Sequence, residues 1–536
     1  MSFKVLPMID GVLIVDALAS GDGRRSSSRD VIGVGPRAVA GVMERHDIPC
    51  RIARAEDIIS TPNRIRSFSH LALSAMSMDL PTVRRVVDLW KRLRRTGRIL
   101  VGGPISSAPS LVLNEVRPDV VVIGEGEITL SELVSSGFFE DSSPDLSSID
   151  GLGYIDGGQV RITPPRELIP EESISNLRPS VHRIVDYPSY QASRVYVEVV
   201  RGCSNFMRPR LRLQDGRQCV ECGGCESEDL KERIRCPEGI PPGCGFCSVP
   251  AVWGPPRSRS VESVVEEVRL LLEAGVHRVV LAAPDFLDFH RGPQPLTDPC
   301  HPPANLREIR RLLEALVRLP SVMNGLCHIG IENIKACLLT EDVVRVISGI
   351  LGDTSIHIGL ETGSGPHMRA IGKYGSPEDV LHAVSVAKKH GLRPFVYLIY
   401  GLPGESPETT RMTLDMMHRL YQAGMERVVL YGFRPLPGSA FQGSSPPSPR
   451  DQSSRVLQEV ARRLNKARKT EQIGKVVRGI AAEMSSSRHG YTMVYPLGDG
   501  PIMTVPGGFS AGRIVSVRVT RVLTPELVEG IVIEES

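Results

Sequence analysis

The sequence predicts an α/β protein in three parts: a doubly wound parallel sheet, a central partial (β/α)6 TIM-type barrel, and a small all-β, OB-like barrel at the end. Two observations carry this prediction. Short apolar runs alternate with amphipathic stretches in two separate series, and short alternating segments separated by glycine turns fill residues 472–536. With 536 residues the chain is also too long for one ordinary domain.

The first series predicts a Rossmann-type domain over residues 1–150. Two glycine-rich turns come directly after predicted strands: Gly102-Gly103-Pro104 and Gly124-Glu125-Gly126-Glu127. The carboxyl ends of such strands are where doubly wound folds bind ligands. A polar stretch over residues 151–193 then predicts a linker with a small hairpin. The predicted strands are Val12–Asp16, Leu71–Ala75, Ile99–Val101 and Val120–Ile123.

The second series predicts six β/α units over residues 194–450, with catalysis at the carboxyl ends of the strands. A connecting helix is predicted over residues 451–471, and the all-β barrel follows over residues 472–536. The predicted strands of the central barrel are Val195–Val200, Arg278–Ala282, Cys327–Ile331, Ser355–Leu360, Pro394–Ile399 and Arg427–Tyr431.

Composition excludes several classes of protein. The content of 41% hydrophobic and 23% charged residues is that of a soluble globular protein, and a net charge of +3 excludes a polybasic coat protein. Neither a signal peptide nor a membrane span is recognised, so we expect a cytoplasmic location and no membrane partner. The 11 cysteines should then not pair as disulfides. Seven of them lie between Cys203 and Cys247, which indicates metal.

The strongest signal is Cys203 at the end of the first strand of the central barrel, together with Cys244 and Cys247. Three thiolates can hold a 4Fe–4S cluster and leave one iron without a protein ligand. A small molecule can then chelate that open iron, as substrates do at an open catalytic zinc. The alternative is a structural zinc pair or buried thiols.

Residues 194–450 resemble the radical S-adenosylmethionine enzymes. That family usually has Cys-x3-Cys-x2-Cys after the first strand, with an aromatic residue before the last cysteine, which is Phe246 here. The resemblance implies a 4Fe–4S cluster on Cys203, Cys244 and Cys247, with residues 204–243 as an insertion between the first two. If Cys203, Cys244 and Cys247 do not meet in space, Cys236 is the substitute third ligand.

Further motifs match the family in order along the barrel, and the resemblance implies that they bind the cofactor. Ala283-Pro284-Asp285 takes the place of an acidic motif that contacts the methionine amine. Gly359 to Ser364 resembles the motif near the ribose and methionine parts, and Tyr400 to Glu405 resembles the loop around the adenine. The residues assigned to cofactor binding are Phe246, Asp285, Glu361, Ser364, Gly401 and Gly404.

The resemblance also implies reductive cleavage of S-adenosylmethionine to methionine and a 5′-deoxyadenosyl radical. That radical takes a hydrogen atom from a substrate in the barrel mouth. An external ferredoxin-like or flavodoxin-like protein would supply the electron. The sequence assigns no catalytic residue for proton transfer or radical quenching, and His328 and His357 are interpreted as buried structural histidines.

The insertion carries its own cysteine pattern, Cys-x2-Cys-x2-Cys followed by Cys-Pro. This pattern resembles half of a ferredoxin and predicts a second 4Fe–4S cluster for electron relay or structure. A zinc site on the same four thiolates is the alternative. The four residues are Cys219, Cys222, Cys225 and Cys236.

The first domain resembles the cobalamin-binding domain that precedes many radical enzymes, on its Gly-Gly-Pro and Gly-Glu-Gly-Glu turns. It lacks an Asp-x-His-x-x-Gly motif for an axial histidine, since Asp16-Ala17-Leu18-Ala19 has no histidine. Cobalamin is therefore doubtful as a cofactor. It would bind without an axial ligand, or the fold would be kept only as a scaffold.

The terminal barrel resembles the TRAM domain of several tRNA-modifying enzymes, including radical methylthiotransferases. The resemblance rests on Ile473 to Val477, Arg488 to Tyr495 and Ser516 to Val519. It implies a tRNA or other RNA partner, and a methyl or methylthio group as the modification. The predicted RNA-binding residues are Lys475, Arg488, Tyr491 and Arg518.

Two other functions stay open from the sequence. The first is a radical enzyme that acts on a small molecule, lipid or protein, with a purely structural terminal barrel. The second is a non-catalytic RNA-binding protein with iron–sulfur or zinc, which the ordered motifs disfavour.

Overall fold

The computed structural model describes residues 11–23, 25, 29–94, 96–140, 144–524 and 526–533. The chain divides into two compact units, Met1–Tyr190 and Gln191–Ser536. Among the described residues, no helix is long and apolar enough to cross a membrane.

The first unit contains short strands and helices in alternation. Its strands are β1 (Val12–Asp16), β2 (Val31–Ile32), β3 (Cys50–Arg54), β4 (His70–Ser74), β5 (Ile99–Gly102), β6 (Val120–Val122), β7 (Leu152–Asp156) and β8 (Gln159–Ile162). Its helices are α1 (Val34–Arg45), α2 (Ala55–Ser60), α3 (Leu80–Leu93), α4 (Pro109–Val116), α5 (Gly126–Ser135) and α6 (Glu171–Ile174).

The sheet of the first unit has the strand order β3-β1-β4-β5-β6-β7-β8. Strands β3, β1, β4, β5 and β6 are parallel, while β7 and β8 continue the sheet as an antiparallel hairpin. The predicted linker over residues 151–193 therefore needs correction, because its hairpin is part of this sheet and the unit runs to Tyr190. The hairpin joins because the buried Leu152 pairs with Val122 at the sheet edge.

The second unit begins with the central barrel. Its strands are β9 (Arg194–Glu198), β10 (Val200–Arg201), β11 (Arg257–Ser258), β12 (Arg278–Ala282), β13 (His328–Glu332), β14 (Ser355–Glu361), β15 (Arg393–Tyr400) and β16 (Arg427–Gly432). Its helices are α7 (Val249–Trp253), α8 (Val261–Glu273), α9 (Leu306–Val317), α10 (Pro320–Met323), α11 (Glu341–Leu351), α12 (Gly365–Ala370), α13 (Pro377–Lys389), α14 (Pro407–Gln422) and α15 (Gln452–Thr470).

The barrel strands form two parallel groups, β9-β12-β13 and β14-β15-β16. A parallel bridge between Ile334 and Ile358 connects the two groups. Alternate residues of β15 show the two faces of the wall: Val396 and Leu398 are fully buried, while Tyr397 is half-buried on the other face. The predicted α/β class with a TIM-like central domain is confirmed.

The terminal barrel has five strands in the closed order β17-β18-β19-β21-β20, which confirms the predicted small all-β barrel. Its interior is apolar, with seven buried residues in one cluster. The helix before it, α15, ends at Thr470, close to the predicted boundary. The strands are β17 (Val476–Met484), β18 (Tyr491–Pro496), β19 (Ile502–Pro506), β20 (Ile514–Val522) and β21 (Leu527–Ile533).

The terminal barrel packs against the amino ends of the central-barrel strands. The Asp499 carboxylate accepts hydrogen bonds from the Ser355 N–H (2.6 Å) and hydroxyl (2.8 Å), and Arg393 donates to the Asp499 carbonyl. Arg478 donates to the Gly325 carbonyl at 3.1 Å. The loop that carries Asp499 therefore closes the end of the central barrel opposite the cysteines.

Candidate active site

A short antiparallel ribbon brings the three core cysteines together. In it Val200 pairs with Ser258, and Arg201 pairs with Arg257, so the chain leaves and re-enters the barrel at one place. The Cys203 N–H then donates to the Gly254 carbonyl at 3.0 Å. The long separation between Cys203 and Cys244 is therefore an excursion that starts and ends at the same strand end.

Each of the three sulfurs accepts an N–H hydrogen bond. The Asn205 backbone N–H lies 3.5 Å from the Cys203 Sγ, and the Asn205 side-chain amide donates to the Cys244 Sγ at 3.2 Å. The Val249 N–H lies 3.5 Å from the Cys247 Sγ. Hydrogen bonds to sulfur are among the contacts by which proteins tune iron–sulfur clusters. The surroundings of the three thiols therefore fit such a cluster.

Burial keeps these thiols protonated when no metal is bound. It raises the pKa of Cys244 to about 11 and that of Cys247 to about 12. Metal binding must then displace the protons. Within the described ranges, no three His, Cys, Asp or Glu side chains are arranged to hold a single metal ion.

A buried ionic network anchors the loop after Cys203. The Lys335 ammonium donates to the Ser204 hydroxyl at 2.7 Å and to the Asp288 carboxylate at 2.9 Å, and it pairs with Asp285 at 3.1 Å. Arg291 pairs with Asp288 at 2.8 Å. Because both carboxylates have cationic partners, the network is a paired ionic unit that joins the ends of β9, β12 and β13.

A second ion pair lies at the end of β14. The Lys373 ammonium is 3.0 Å from Glu361, whose backbone has a φ of +67°. Burial opposes the charge of Lys373, but Glu361 and the Cys244 sulfur raise its pKa overall. The turn after α12 thus brings a lysine to the acid that the sequence assigned to the cofactor.

These elements surround a cavity of about 320 Å³. The three cysteines and Phe246 form one part of its lining, and Glu361 with Lys373 forms another. Tyr397 and Tyr431 also line it, from β15 and β16. Its volume lies at the lower end of the roughly 300–1,000 Å³ typical of small-molecule sites.

Four other residues assigned to the cofactor lie outside the lining of this cavity. Asp285 is fully buried under Lys335, and Ser364 is a helix cap whose hydroxyl accepts the His367 N–H. Gly401 lies against Pro447, and Gly404 lies against Leu211. Their predicted contacts with S-adenosylmethionine stay predictions.

The sequence did not identify several polar residues around this cavity. Asn205 lies two residues after Cys203, and this closeness in sequence was the one signal that could have identified it. Lys335, Lys373 and Tyr397 carry no local pattern, because only the fold places them near the cysteines.

The insertion is an irregular segment that brings at least three of its cysteines near one another. Within the described chain its regular structure consists of single helical turns at Gly224–Glu226 and Glu232–Ile234. Burial raises the pKa of Cys225, and the neighbouring Cys219 and Cys236 raise it further, while Cys222 is exposed. The second metal on these four cysteines stays a prediction.

One pair of cysteines corrects an expectation from the sequence. Cys300 and Cys337 form a disulfide with a Cα–Cα distance of 6.0 Å, although the sequence predicted free or metal-bound thiols throughout. They meet because the segments after the neighbouring parallel strands β12 and β13 extend from the same end of the barrel. Sequence clustering, the signal used for metal, does not detect such a pair.

Glycine turns follow two neighbouring strands of the first unit, β5 and β6. Gly124 has a φ of +73°, and an added Cβ there would meet no atom within 4 Å. Gly103, at the end of the neighbouring β5, has a φ of +86°. At the end of β1, by contrast, Asp16 forms a buried ion pair with Arg25 at 2.9 Å. The sequence from residue 17 to residue 30 contains no histidine. A corrinoid at these strand ends would therefore lack an axial histidine from that loop.

The four predicted RNA-binding residues lie in two places on the terminal barrel. Lys475 and Arg518 are both exposed: Lys475 immediately precedes β17, and Arg518 lies on β20, where it pairs with Val476. The Arg488 guanidinium lies over the Tyr491 ring at 3.9 Å and pairs with Glu529 at 3.1 Å. Arg488 and Tyr491 are thus already engaged with each other and with Glu529.

Two families of domains match the chain. The radical SAM superfamily matches residues 235–417, and the B12 binding domain matches residues 24–134. The expectation that cobalamin is doubtful is therefore not supported. A missing axial histidine removes one ligand, but it leaves the sheet and its glycine turns, which make up most of such a domain.

Relatives and a solved structure agree with these domains. An uncharacterized protein of Methanopyrus kandleri is 39% identical over 530 residues, 98% of this chain and 97% of that protein. A ribosomal protein uS12 methylthiotransferase of Symbiobacterium thermophilum is 26% identical over 54% of this chain and 59% of that protein.

Among solved structures, the fold is similar to that of the radical S-adenosylmethionine methyltransferase TsrM from Kitasatospora setae with cobalamin and a [4Fe-4S] cluster bound. The TM-score is 0.56 at 15% identity, and the match covers 81% of this chain and 77% of that chain. The chain therefore belongs to the family of the Methanopyrus kandleri protein, and it is a radical S-adenosylmethionine enzyme with a B12-binding domain.

Proposed function

We propose that this enzyme transfers a methyl group from S-adenosylmethionine to a substrate bound in the cavity beside Cys203, Cys244 and Cys247. The observation that carries the proposal is the cavity itself. Three thiols with N–H···S contacts form one part of its lining, and the Glu361–Lys373 ion pair forms another. Anionic and cationic groups side by side suit the amino-acid part of S-adenosylmethionine, which carries both charges.

The residues of the chain have separate tasks in this proposal. Cys203, Cys244 and Cys247 would hold the 4Fe–4S cluster, and Gly103 and Gly124 would lie under cobalamin. The cluster supplies the electron for cleavage of S-adenosylmethionine, and cobalamin supplies a methyl carrier. An external ferredoxin-like or flavodoxin-like donor completes the electron supply. Phe246, Tyr397 and Tyr431 would supply an apolar part of the lining around the substrate.

The burial and raised pKa of Cys50 favour methyl transfer over methylthio transfer. Cys50 is the one cysteine in residues 1–190, whereas the related transferases use three cysteines in the corresponding domain for sulfur donation. It is buried, and burial raises its pKa to about 12. A thiol of that kind is inert as a ligand or nucleophile at neutral pH.

The test uses the full chain, reconstituted anaerobically with iron, sulfide and cobalamin. S-adenosylmethionine with a deuterated methyl group is added with dithionite to separate RNA and small-molecule fractions from cells lacking the gene. We expect a product carrying CD3, measured by mass spectrometry, and none from a C203A/C244A/C247A variant. Recovery of the label as CD3–S would contradict methyl transfer, as would 5′-deoxyadenosine formation without labelled product in any fraction.

We further infer that the substrate is RNA, held in part by the terminal barrel. Lys475 lies just before β17 and Arg518 on the adjacent β20, and both are exposed and available to phosphates. Arg488 and Tyr491 would join only if their contacts with Glu529 opened. A small-molecule substrate is the alternative, and the tryptophan-bound form of TsrM is one such case.

Point variants of the full chain test the RNA interaction. Deleting residues 472–536 is unsuitable, because the Asp499 loop packs against the central barrel. A K475Q/R518Q variant should lower the log–log salt slope of tRNA binding by up to about two contacts, at roughly 0.7–0.9 per contact. The control is R307Q, an exposed arginine on α9. Absence of tRNA binding at low salt would favour the small-molecule alternative.

A further inference from the structure

The central barrel has an unusually polar interior. Barrel interiors are normally layers of Val, Ile and Leu. Here Tyr196, Glu332, His357 and Tyr397 form one hydrogen-bonded group that reaches from the cavity toward the opposite end of the barrel. The proposed cofactor sites do not use any of the four.

Their hydrogen bonds form a continuous chain. Tyr397 lines the cavity, and its hydroxyl is 2.7 Å from the His357 Nδ1. The His357 Nε2 is 3.2 Å from the Ser355 hydroxyl, which donates to the Asp499 carboxylate at 2.8 Å. One imidazole thus connects the cavity with the loop that closes the other end.

Glu332 lies beside this series of hydrogen bonds. Its Oε1 is 3.4 Å from the His357 Nδ1, and its Oε2 accepts the Tyr196 hydroxyl at 2.6 Å. Burial lowers the pKa of His357, Glu332 and Asp499 oppose that effect, and Arg194 and Arg427 reinforce it. Burial also raises the pKa of Tyr397, so the resting pair is a phenol beside a neutral imidazole.

We propose that Tyr397, His357 and Glu332 form a proton relay that accepts a proton from the substrate in the cavity. A proton leaving the substrate forms a new O–H bond at Tyr397 while the original phenol proton passes to the His357 Nδ1. The resulting imidazolium lies beside the Glu332 carboxylate, which stabilises it. The electron pair of the broken bond stays on the substrate, so the step needs no oxidant or reductant.

This inference rests on the proposed function and deepens it. When the deoxyadenosyl radical abstracts hydrogen from a saturated carbon, that hydrogen leaves with the nucleoside and needs no base. A relay in the cavity therefore points to a substrate that also loses a proton, such as an unsaturated carbon at which a methyl group replaces hydrogen.

The first experiment needs no substrate. Full-length protein with ¹⁵N-labelled histidine is studied by NMR, and the His357 ring signal is assigned with H357Q. In the neutral ring Nδ1 accepts from Tyr397, so the ring N–H is Nε2–H, which faces Ser355. This N–H should exchange rapidly with solvent in the wild type, because a proton that enters at Nδ1 through Tyr397 allows Nε2 to release its own. Tyr397→Phe should slow that exchange. If the Tyr397–His357 hydrogen bond were only structural, its removal would leave the exchange rate unchanged or increase it. An unchanged or a faster exchange rate in Tyr397→Phe would therefore overturn the relay.

The second experiment uses the CD3-transfer assay described above. Tyr397→Phe should lower transfer by roughly 10²- to 10⁴-fold, the range typical of a lost general base, while 5′-deoxyadenosine still forms. The solvent deuterium isotope effect on the rate of transfer should disappear in Tyr397→Phe. It should persist in Tyr431→Phe, which loses a cavity hydroxyl that is not part of the relay. Undiminished transfer in Tyr397→Phe would refute the relay. Absence of transfer in the wild type would refute the proposed function, and the exchange experiment would still decide on the relay.

Discussion

Two groups of cysteines lie within one short stretch of this chain, and their surroundings differ. Cys203, Cys244 and Cys247 line a cavity at the ends of barrel strands and accept N–H hydrogen bonds. Cys219, Cys222, Cys225 and Cys236 lie in an irregular excursion, and Cys222 is exposed. The first group lies at the ends of barrel strands, whereas the second lies on the insertion, where Cys219 and Cys236 pack against a cluster that includes Leu402.

In the proposed function, this difference separates a reactive site from an accessory one. An open cavity beside three thiols would leave room for a small molecule at an iron without a protein ligand. Four thiols on a surface segment would saturate their metal and leave no such position. Spacing along the sequence alone would favour the second group as the main metal site, because its cysteines are regularly spaced and Cys203 is far from Cys244.

The largest effect should come from removing the first group. A C203A/C244A/C247A variant should lose one cluster and all reductive cleavage of S-adenosylmethionine, because no thiolate remains to hold the reactive cluster. Iron analysis and 5′-deoxyadenosine measured after dithionite test this. Nucleoside formation at the wild-type rate would remove the distinction between the two groups.

Removing the second group should cost metal but not cleavage. A C219S/C222S/C225S variant should lose about four irons, the content of one 4Fe–4S cluster, and keep dithionite-driven nucleoside formation. Iron, zinc and acid-labile sulfide are measured on the purified chain. Zinc in the wild type would exclude an electron relay, and unchanged metal content in the variant would exclude a second site.

A substitution at Glu361 tests whether S-adenosylmethionine binds in this cavity. Glu361→Gln removes the carboxylate that pairs with Lys373 and should weaken S-adenosylmethionine binding without loss of iron. A lost charge-assisted hydrogen bond is worth roughly 1.5–3 kcal/mol, or about ten- to a hundredfold in affinity. Calorimetry on the reconstituted enzyme gives the affinity, with Glu341→Gln on the surface of α11 as control. Equal affinities would place the cofactor elsewhere.

The smallest effect concerns two arginines of the insertion. Arg208 is buried and donates to the carbonyls of Phe206 and Ile234 at 2.6 and 2.8 Å. Arg210 forms exposed pairs with Glu221 and Glu226. Arg208→Gln should make the insertion more sensitive to protease, while Arg210→Gln should change little, because exposed pairs are worth about 0–1 kcal/mol. Equal digestion rates would show that Arg208 does not hold the segment.

The elements and their order could be predicted from the sequence, because buried strands and amphipathic helices have distinct periods. The hairpin β7–β8 was harder to assign, since Gln159 and Ile162 of β8 are exposed and leave little apolar pattern. Its attachment to the sheet depends on β6, a strand distant in sequence.

The site was only partly predictable. The motifs around Cys203 and Glu361 have local patterns, whereas Lys373 reaches Glu361 only because α12 turns the chain back. Likewise, Tyr397 and His357 read as ordinary residues of alternating strands. Their hydrogen bond depends on the parallel pairing of β14 with β15.

The ribbon of β10 and β11 has a consequence for how such enzymes can change during evolution. Because it closes the excursion at its stem, lengthening the segment beyond it is cheap in chain entropy, at about 0.6 kcal/mol for each doubling of loop length. A short motif can thus acquire dozens of residues, and even a metal-binding module, while the reactive thiols keep their places. In this architecture chain entropy only weakly limits the number of residues between Cys203 and Cys244, and a search for a fixed spacing would overlook chains built in the same way.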